Sequence, residues 1–274
     1  KGPSLAALYA VKSLMDDGIQ FTKRIRFIFG TDEETLWRCM NRYNQIEEQA
    51  DLGFAPDSSF PLTYAEKGLL QVKLHGPGWD DLPLQAGQAL NVVPDKATYA
   101  GHRLEELLPV LDQSGVQYSQ TEDSVTVLGV SKHSKDAAEG VNAIVGLAES
   151  LSLIQPHPAL LFIADAVGED ATGEALFGKI TDEPSGDLSF NLATLVIDQE
   201  QSEIGIDIRI PVLADKDALV ARLQEIAASY QLEYEEFDYL APLYVPLDSP
   251  LVSSLMTVYQ EETDKIADQN QQNR

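Results

Sequence analysis

Apolar residues recur at helical spacing from the start of the chain. Leu5, Leu8, Val11, Leu14 and Met15 lie three or four apart, Pro3 and Ser4 stand where a helix begins, and Asp17-Gly18 close it. The apolar run Ile25-Arg26-Phe27-Ile28-Phe29 reads as a strand, and Glu34 to Glu48, carrying Trp37, Met40 and Tyr43, as a second helix. Asp51 to Ala55 reads as a short second strand. This helix-strand-helix-strand order predicts an α/β fold, with chemistry at the ends of the strands.

The pattern changes near Ala65. Gly68 to His75 alternates apolar and polar, as a half-exposed antiparallel strand does, and Gln88 to Tyr99 is extended with a break at Pro94-Asp95. A helix over Leu104 to Leu111, a hairpin from Val116–Tyr118 to Val125–Val130 and an amphipathic helix over Ala137 to Leu153 follow. A second round begins at Gly186. Leu188 to Ile197 and Glu203 to Pro211 form a hairpin about the polar residues 198–202, Ala214 to Tyr230 is a helix with Asp215 and Asp217 at its acidic start, and Tyr234 to Tyr244 is a closing strand. Two such rounds predict a two-lobed α+β domain over 65–244, between a segment 1–64 and a return segment 245–274. In the return segment Ser249 to Glu262 is helical and the tail from Asp264 is polar.

The 274 residues carry 19 basic and 44 acidic side chains, a formal charge of −25. Phosphate backbones and anionic membrane surfaces both need Lys/Arg patches, so this balance argues against nucleic acid and against a membrane as partner. No stretch approaches the roughly 18 apolar residues of a membrane span. The single cysteine, Cys39, excludes an intramolecular disulfide and fits a reducing cytoplasm, and it reads as a helix packing residue. The chain opens at Lys1-Gly2-Pro3-Ser4 without an initiator Met or a signal peptide, as expected of a cleaved product, a fragment or a truncated gene.

The candidate chemistry is carboxylate chemistry. Gly30-Thr31-Asp32-Glu33-Glu34 follows the first strand directly, and Asp57 stands in Ala55-Pro56-Asp57-Ser58-Ser59-Phe60-Pro61. Carboxylates at the end of a buried strand are costly to desolvate unless a cation meets them. Adjacent carboxylates can also divide the work, one binding a metal while its neighbour takes a proton from a polarised water. A plainer reading stands beside this one: Asp32, Glu33 and Glu34 start a helix, where negative charge is favourable, and Asp57 shapes a turn.

Lys-Gly-Pro at the start, Gly-Thr-Asp-Glu-Glu after a strand and Pro-Asp-x-x-Phe-Pro together resemble the co-catalytic zinc peptidases that include acetylornithine deacetylase and succinyl-diaminopimelate desuccinylase. The details are most similar to the dipeptidase PepV branch, also described as Xaa-His dipeptidases. The resemblance covers nearly the whole chain. It implies that 1–64 is part of a metallopeptidase catalytic domain, that 65–244 is an inserted two-lobed lid that binds substrate, and that 245–274 returns to the catalytic domain. The implied activity is zinc-dependent hydrolysis of dipeptides by a cytoplasmic, monomeric protein.

Residue by residue, the resemblance makes Glu33 the general base, Glu34 a zinc ligand and Asp57 a ligand of the other zinc. Asn91, in Leu90-Asn91-Val92-Val93-Pro94, would contact substrate. His133, in Gly129-Val130-Ser131-Lys132-His133, would stabilise the oxyanion, and Arg209, in Ile206-Asp207-Ile208-Arg209-Ile210-Pro211, would hold the substrate's C-terminal carboxylate. The family pattern after His133 continues with Gly and small residues, whereas Ser134-Lys135-Asp136 stand here. His75, His102 and His157 read as surface or structural residues. The bridging Asp of the two-zinc site would fall just before Lys1 and its last His beyond Arg274. Two carboxylates make a poor zinc site, since zinc takes three or four protein ligands, so the chain is expected to hold the pair weakly and to hydrolyse little. Two alternatives remain open: an N-acyl amino acid deacylase or desuccinylase of the same family, and a non-catalytic remnant that binds peptide carboxylates.

Overall fold

The computed structural model describes residues 1–32 and 37–263. It falls into two compact units, residues 1–64 with residues 245–263, and residues 65–244. The first contains α1 (Gly2–Asp16), α2 (Arg38–Ile46) and, at its far end in sequence, α8 (Pro250–Thr263). The second contains β1 (Ala65–Glu66), β2 (Gly68–Pro77), β3 (Leu84–Ala86), β4 (Lys96–Tyr99), α3 (Leu104–Ser114), β5 (Tyr118–Gln120) and β6 (Val125–Leu128). It continues with α4 (Ala143–Ser152), α5 (Pro158–Leu161), α6 (Glu174–Phe177), β7 (Thr181–Asp182), β8 (Gly186–Asp187), β9 (Ser189–Ile197), β10 (Gln201–Ile210), α7 (Lys216–Ser229), β11 (Glu233–Leu240) and β12 (Leu243–Tyr244).

In the first unit the expected helices form, with α2 starting at Arg38, but the helix-strand-helix-strand order does not. Residues 25–29 and 51–55 belong to no strand and have no ladder partner among the described residues, and Asp51 and Leu52 lie in a bend. Phe29 is 70% exposed and Phe54 68%. A strand is defined by its hydrogen-bonded neighbour, so an apolar β-prone run without one forms no strand. Neither α1 nor α2 buries a residue, whereas α8 buries Val252 and Met256. Phe60 stacks on Tyr259 of α8 with ring centroids 5.8 Å apart.

The second unit is mixed α/β. Its main sheet has the order β11-β2-β10-β9-β3, with every pair antiparallel. A smaller sheet has the order β4-β6-β5, also antiparallel. The short pair β1 and β12, Ala65 opposite Tyr244, ties the two points where the chain enters and leaves the unit. Leu70, Val72 and Leu74 of β2 and Ile204, Ile206, Ile208 and Ile210 of β10 line one face of the main sheet and are buried, as the alternation predicts. One continuous core joins both sheets.

The amphipathic helix expected over Ala137 to Leu153 is instead a 3₁₀ segment, Ser134–Glu139, followed by α4. Gly140 separates them, and the Asn142 side chain accepts from the amides of Ile144 and Val145 to cap α4. Nearly every residue of α4 is buried, because α3, α5 and strands of both sheets pack around it, which takes it beyond the one-sided burial of a surface helix.

Candidate functional site

Arg209, the expected carboxylate-binding residue, stands on the other face of the main sheet. Pairing sets Gln71 of β2 opposite Asp207 of β10, and Asp207 opposite Asn191 of β9; in the adjoining row Leu69, Arg209 and Ser189 are opposite one another. Residues two apart on a strand share a face, so Gln71, Asp207, Arg209, Asn191 and Ser189 form one polar patch behind the apolar core face.

Asp207 is fully buried and Arg209 keeps 20% of its side chain exposed. The guanidinium grips the carboxylate twice: Nε donates to Oδ1 at 2.7 Å and Nη2 to Oδ2 at 3.2 Å. Gln71 Nε2 donates to the same Oδ2 at 3.1 Å. Arg209 Nη2 also donates to the Ser134 hydroxyl at 3.1 Å. A guanidinium carries five N–H donors in a fixed fork, and the Nη1 pair has no hydrogen bond among the described residues.

Two loops are pinned onto this patch. Asn191 Nδ2 donates to the carbonyls of Leu90 and Val92, each at 3.0 Å, and so clamps the turn that carries Asn91. The Ser134 amide donates to the Asn91 carbonyl at 2.9 Å, the Val93 amide to the Lys132 carbonyl at 2.8 Å, and Val92 and His133 form an antiparallel bridge. Ser189 Oγ donates to the Ser134 carbonyl. Gly129, where the His133 segment leaves β6, packs so closely on the facing chain that a Cβ there would lie 2.1 Å from the Val141 carbonyl oxygen.

The His133 ring is exposed, and the Lys135 amide donates to its Nδ1 at 3.2 Å. The neutral ring therefore carries its proton on Nε2, which leaves a donor directed away from its own loop. Desolvation, followed by the neighbouring Arg209 charge, holds the His133 pKa below its ordinary value and keeps the ring neutral near pH 7.

The structure thus gathers three of the expected site residues, Asn91, His133 and Arg209, into one hydrogen-bonded neighbourhood of the second unit. Asn91 is exposed there and joins through its backbone. Glu33 and Glu34 lie outside the described residues. Asp57 is exposed, between bends at Pro56 and Ser58. Asp32 adopts the plainer of its two readings. Its carboxylate accepts from the amides of Arg38 at 2.9 Å and Cys39 at 3.1 Å, at the first turn of α2. The Cys39 thiol, then these amides and the Arg38 charge, hold its pKa below the ordinary carboxylate value.

Among the described residues no group of three or more His, Cys, Asp or Glu side chains is placed to hold a metal ion. The described donors therefore do not fit a two-zinc centre. Sequence reasoning missed Asp207, Ser134, Gln71 and Asn191. Asp207 had a signal, its place two residues before Arg209 on one strand. The others become visible only once three strands and two loops are aligned.

His157 is structural, as its sequence context suggested. It is fully buried, its Nδ1 accepts from the Ala159 amide at 3.1 Å at the start of α5, and its Nε2 lies 3.0 Å from the Pro77 carbonyl. Burial pushes its pKa below the usual imidazole value.

The chain is similar to known proteins. The chain is 34% identical over 291 residues to the Bacillus subtilis (strain 168) protein named "Putative dipeptidase YtjP". It is 32% identical over 293 residues to the Staphylococcus aureus (strain MW2) protein named "Putative dipeptidase MW1694". Each alignment takes in 98% of this chain and 62% of the relative, so the chain spans about three-fifths of the length of the curated relatives it matches. The crystal structure of an aminoacylhistidine dipeptidase from Vibrio alginolyticus aligns loosely, with a TM-score of 0.38 and 10% identity, over 73% of this chain and 49% of that one. The model of peptidase family M20/M25/M40 matches residues 1–272, and the chain belongs to that family.

Proposed function

We propose that the protein to which this chain corresponds is a dipeptidase, which hydrolyses the single peptide bond of dipeptides and reads their free C-terminal carboxylate. The observation that carries this reading is the Arg209 guanidinium, fixed on a sheet face by a buried carboxylate, with two donors unused beside the His133 loop. A formal charge of −25 gives an anionic substrate no long-range attraction, so its carboxylate must be held by local contacts. Charge-assisted hydrogen bonds from an arginine supply such a contact.

In a dipeptide, anchoring the carboxylate also fixes the position of the only peptide bond. His133 Nε2–H is the donor for the oxyanion that forms when water adds to the carbonyl. Asn91, pinned one strand away, contacts the substrate backbone, and Glu33 takes the proton of the attacking water. The names of the relatives favour a dipeptide over an N-acyl amino acid.

The resemblance assigns Glu34 and Asp57 to a two-zinc site. The described residues do not assemble such a site, and for this chain alone we expect substrate binding with little or no hydrolysis. Titration with zinc tests the second point, and tight uptake of two ions per chain would overturn it. NMR titration with L-Ala-L-Ala and with its C-terminal amide tests the first. The unaltered chain is expected to prefer the carboxylate form, and Arg209→Lys, which keeps the charge but loses the fork, to lose most of that preference. An Arg209→Lys chain that keeps the parent's full preference for the carboxylate form, or a parent chain that has no such preference, would refute the carboxylate role.

A further inference from the structure

Resting on the assignment of Arg209 to the substrate carboxylate, we infer that Ser134 couples occupation of Arg209 to the position of His133. The basis is a competition for N–H donors. The side-on fork of Arg209, Nε with Nη2, is held by Asp207. The remaining fork is the end-on one, formed by Nη1 and Nη2, and its Nη2 arm is occupied by the Ser134 hydroxyl at 3.1 Å. A carboxylate can bind that fork with both oxygens only by taking the Nη2 donor from Ser134. Asp207 is fully buried and hydrogen-bonded on both oxygens, so Ser134 is the partner that yields.

Ser134 is well connected. It is fully buried and follows His133 directly, its amide donates to the Asn91 carbonyl, and its carbonyl accepts from Ser189 Oγ. Release of its hydroxyl shifts the segment whose next amide, that of Lys135, sets the His133 tautomer. Binding of the carboxylate at Arg209 is thereby transmitted over two residues to the oxyanion donor. Ser134 is a positioning residue in this scheme, acting through Arg209 on one side and His133 on the other. A ligand lacking the carboxylate leaves Ser134 in place and His133 unmoved.

The test is NMR of the whole chain with the His ring and backbone amide signals assigned, titrated with L-Ala-L-Ala and with L-Ala-L-Ala amide. In the unaltered chain the free acid is expected to shift the His133 ring and Lys135 amide signals, and the amide to leave them in place. In Ser134→Ala, a small change in a buried site, no hydrogen bond to Arg209 need be surrendered. The free acid should then bind about tenfold more tightly, the order of one charge-assisted hydrogen bond, while the His133 shift is lost. A purely structural role for Ser134 would not tighten binding while uncoupling His133. Unchanged affinity with a persistent His133 shift in Ser134→Ala would overturn the coupling and leave the carboxylate reading intact. Equal binding of acid and amide by the unaltered chain would overturn the carboxylate reading, and the coupling with it.

Discussion

Asp207 is fully buried, and replacing Arg209 by alanine leaves it only the Gln71 amide as a hydrogen-bond partner among the described residues. Removing one member of a buried ion pair costs about 3–5 kcal/mol, chiefly the desolvation of the charge left behind. The partial exposure of Arg209 and the surviving Gln71 bond place this site at the lower end, about 3 kcal/mol. For a unit the size of residues 65–244, each kcal/mol lowers the midpoint by about 2–4 °C, so the expected drop is about 6–12 °C. Thermal and urea unfolding followed by circular dichroism would measure it, since the second unit holds all of the strands among the described residues. The diagnostic step is the double variant: Asp207→Asn, which removes the stranded charge, should recover stability in the Arg209→Ala background but lose it in the parent chain. A loss below about 1 kcal/mol for Arg209→Ala, or further destabilisation on adding Asp207→Asn, would show that the carboxylate does not depend on its arginine.

Two further outcomes follow from the same geometry. Because the folded-state pKa of His157 lies below its ordinary value of 6.5, the unfolded chain binds more protons there on acidification; its stabilising contribution is complete above about pH 6.5 and is lost as the pH falls toward the folded value. Melting points measured from pH 7.5 to 5 should fall less steeply in His157→Asn, which keeps a capping side chain without the titration, and parallel slopes would exclude this role. Gly129→Ala should cost about 2–3 kcal/mol, because its Cβ would drive the Val141 carbonyl off the Val130 amide, to which it is hydrogen-bonded at 2.9 Å, and full native stability would contradict the close approach.

The strands of the second unit were legible because their signal is local. β2 and β10 alternate apolar and polar with period two, and one face of each must be buried. The polar linkers and capping residues, Asp215 at the start of α7 among them, likewise sit beside the elements they end or begin. The first unit was less legible. Ile25 to Phe29 has the composition of a strand but no ladder partner among the described residues, and no residue's own preferences supply a partner. The helix expected over 137–153 failed for a related reason. Its apolar periodicity could not show that Gly140 and Asn142 interrupt it, or that the remaining turns are packed on all sides.

By itself the sequence put forward Asn91, His133 and Arg209 as candidates, through the motifs in which it resembles the zinc peptidases. It also determined the period of the strands that carry Arg209, because burial of one face follows from alternation. Only the tertiary structure decided that these three residues meet, that Arg209 is held by a buried Asp207, and that Ser134 occupies one arm of its remaining fork. The physical reason is that hydrogen bonds between side chains depend on strand register and on the closure of loops distant in sequence. Asp207 and Ser134 stand 73 residues apart along the chain, about one guanidinium apart in space.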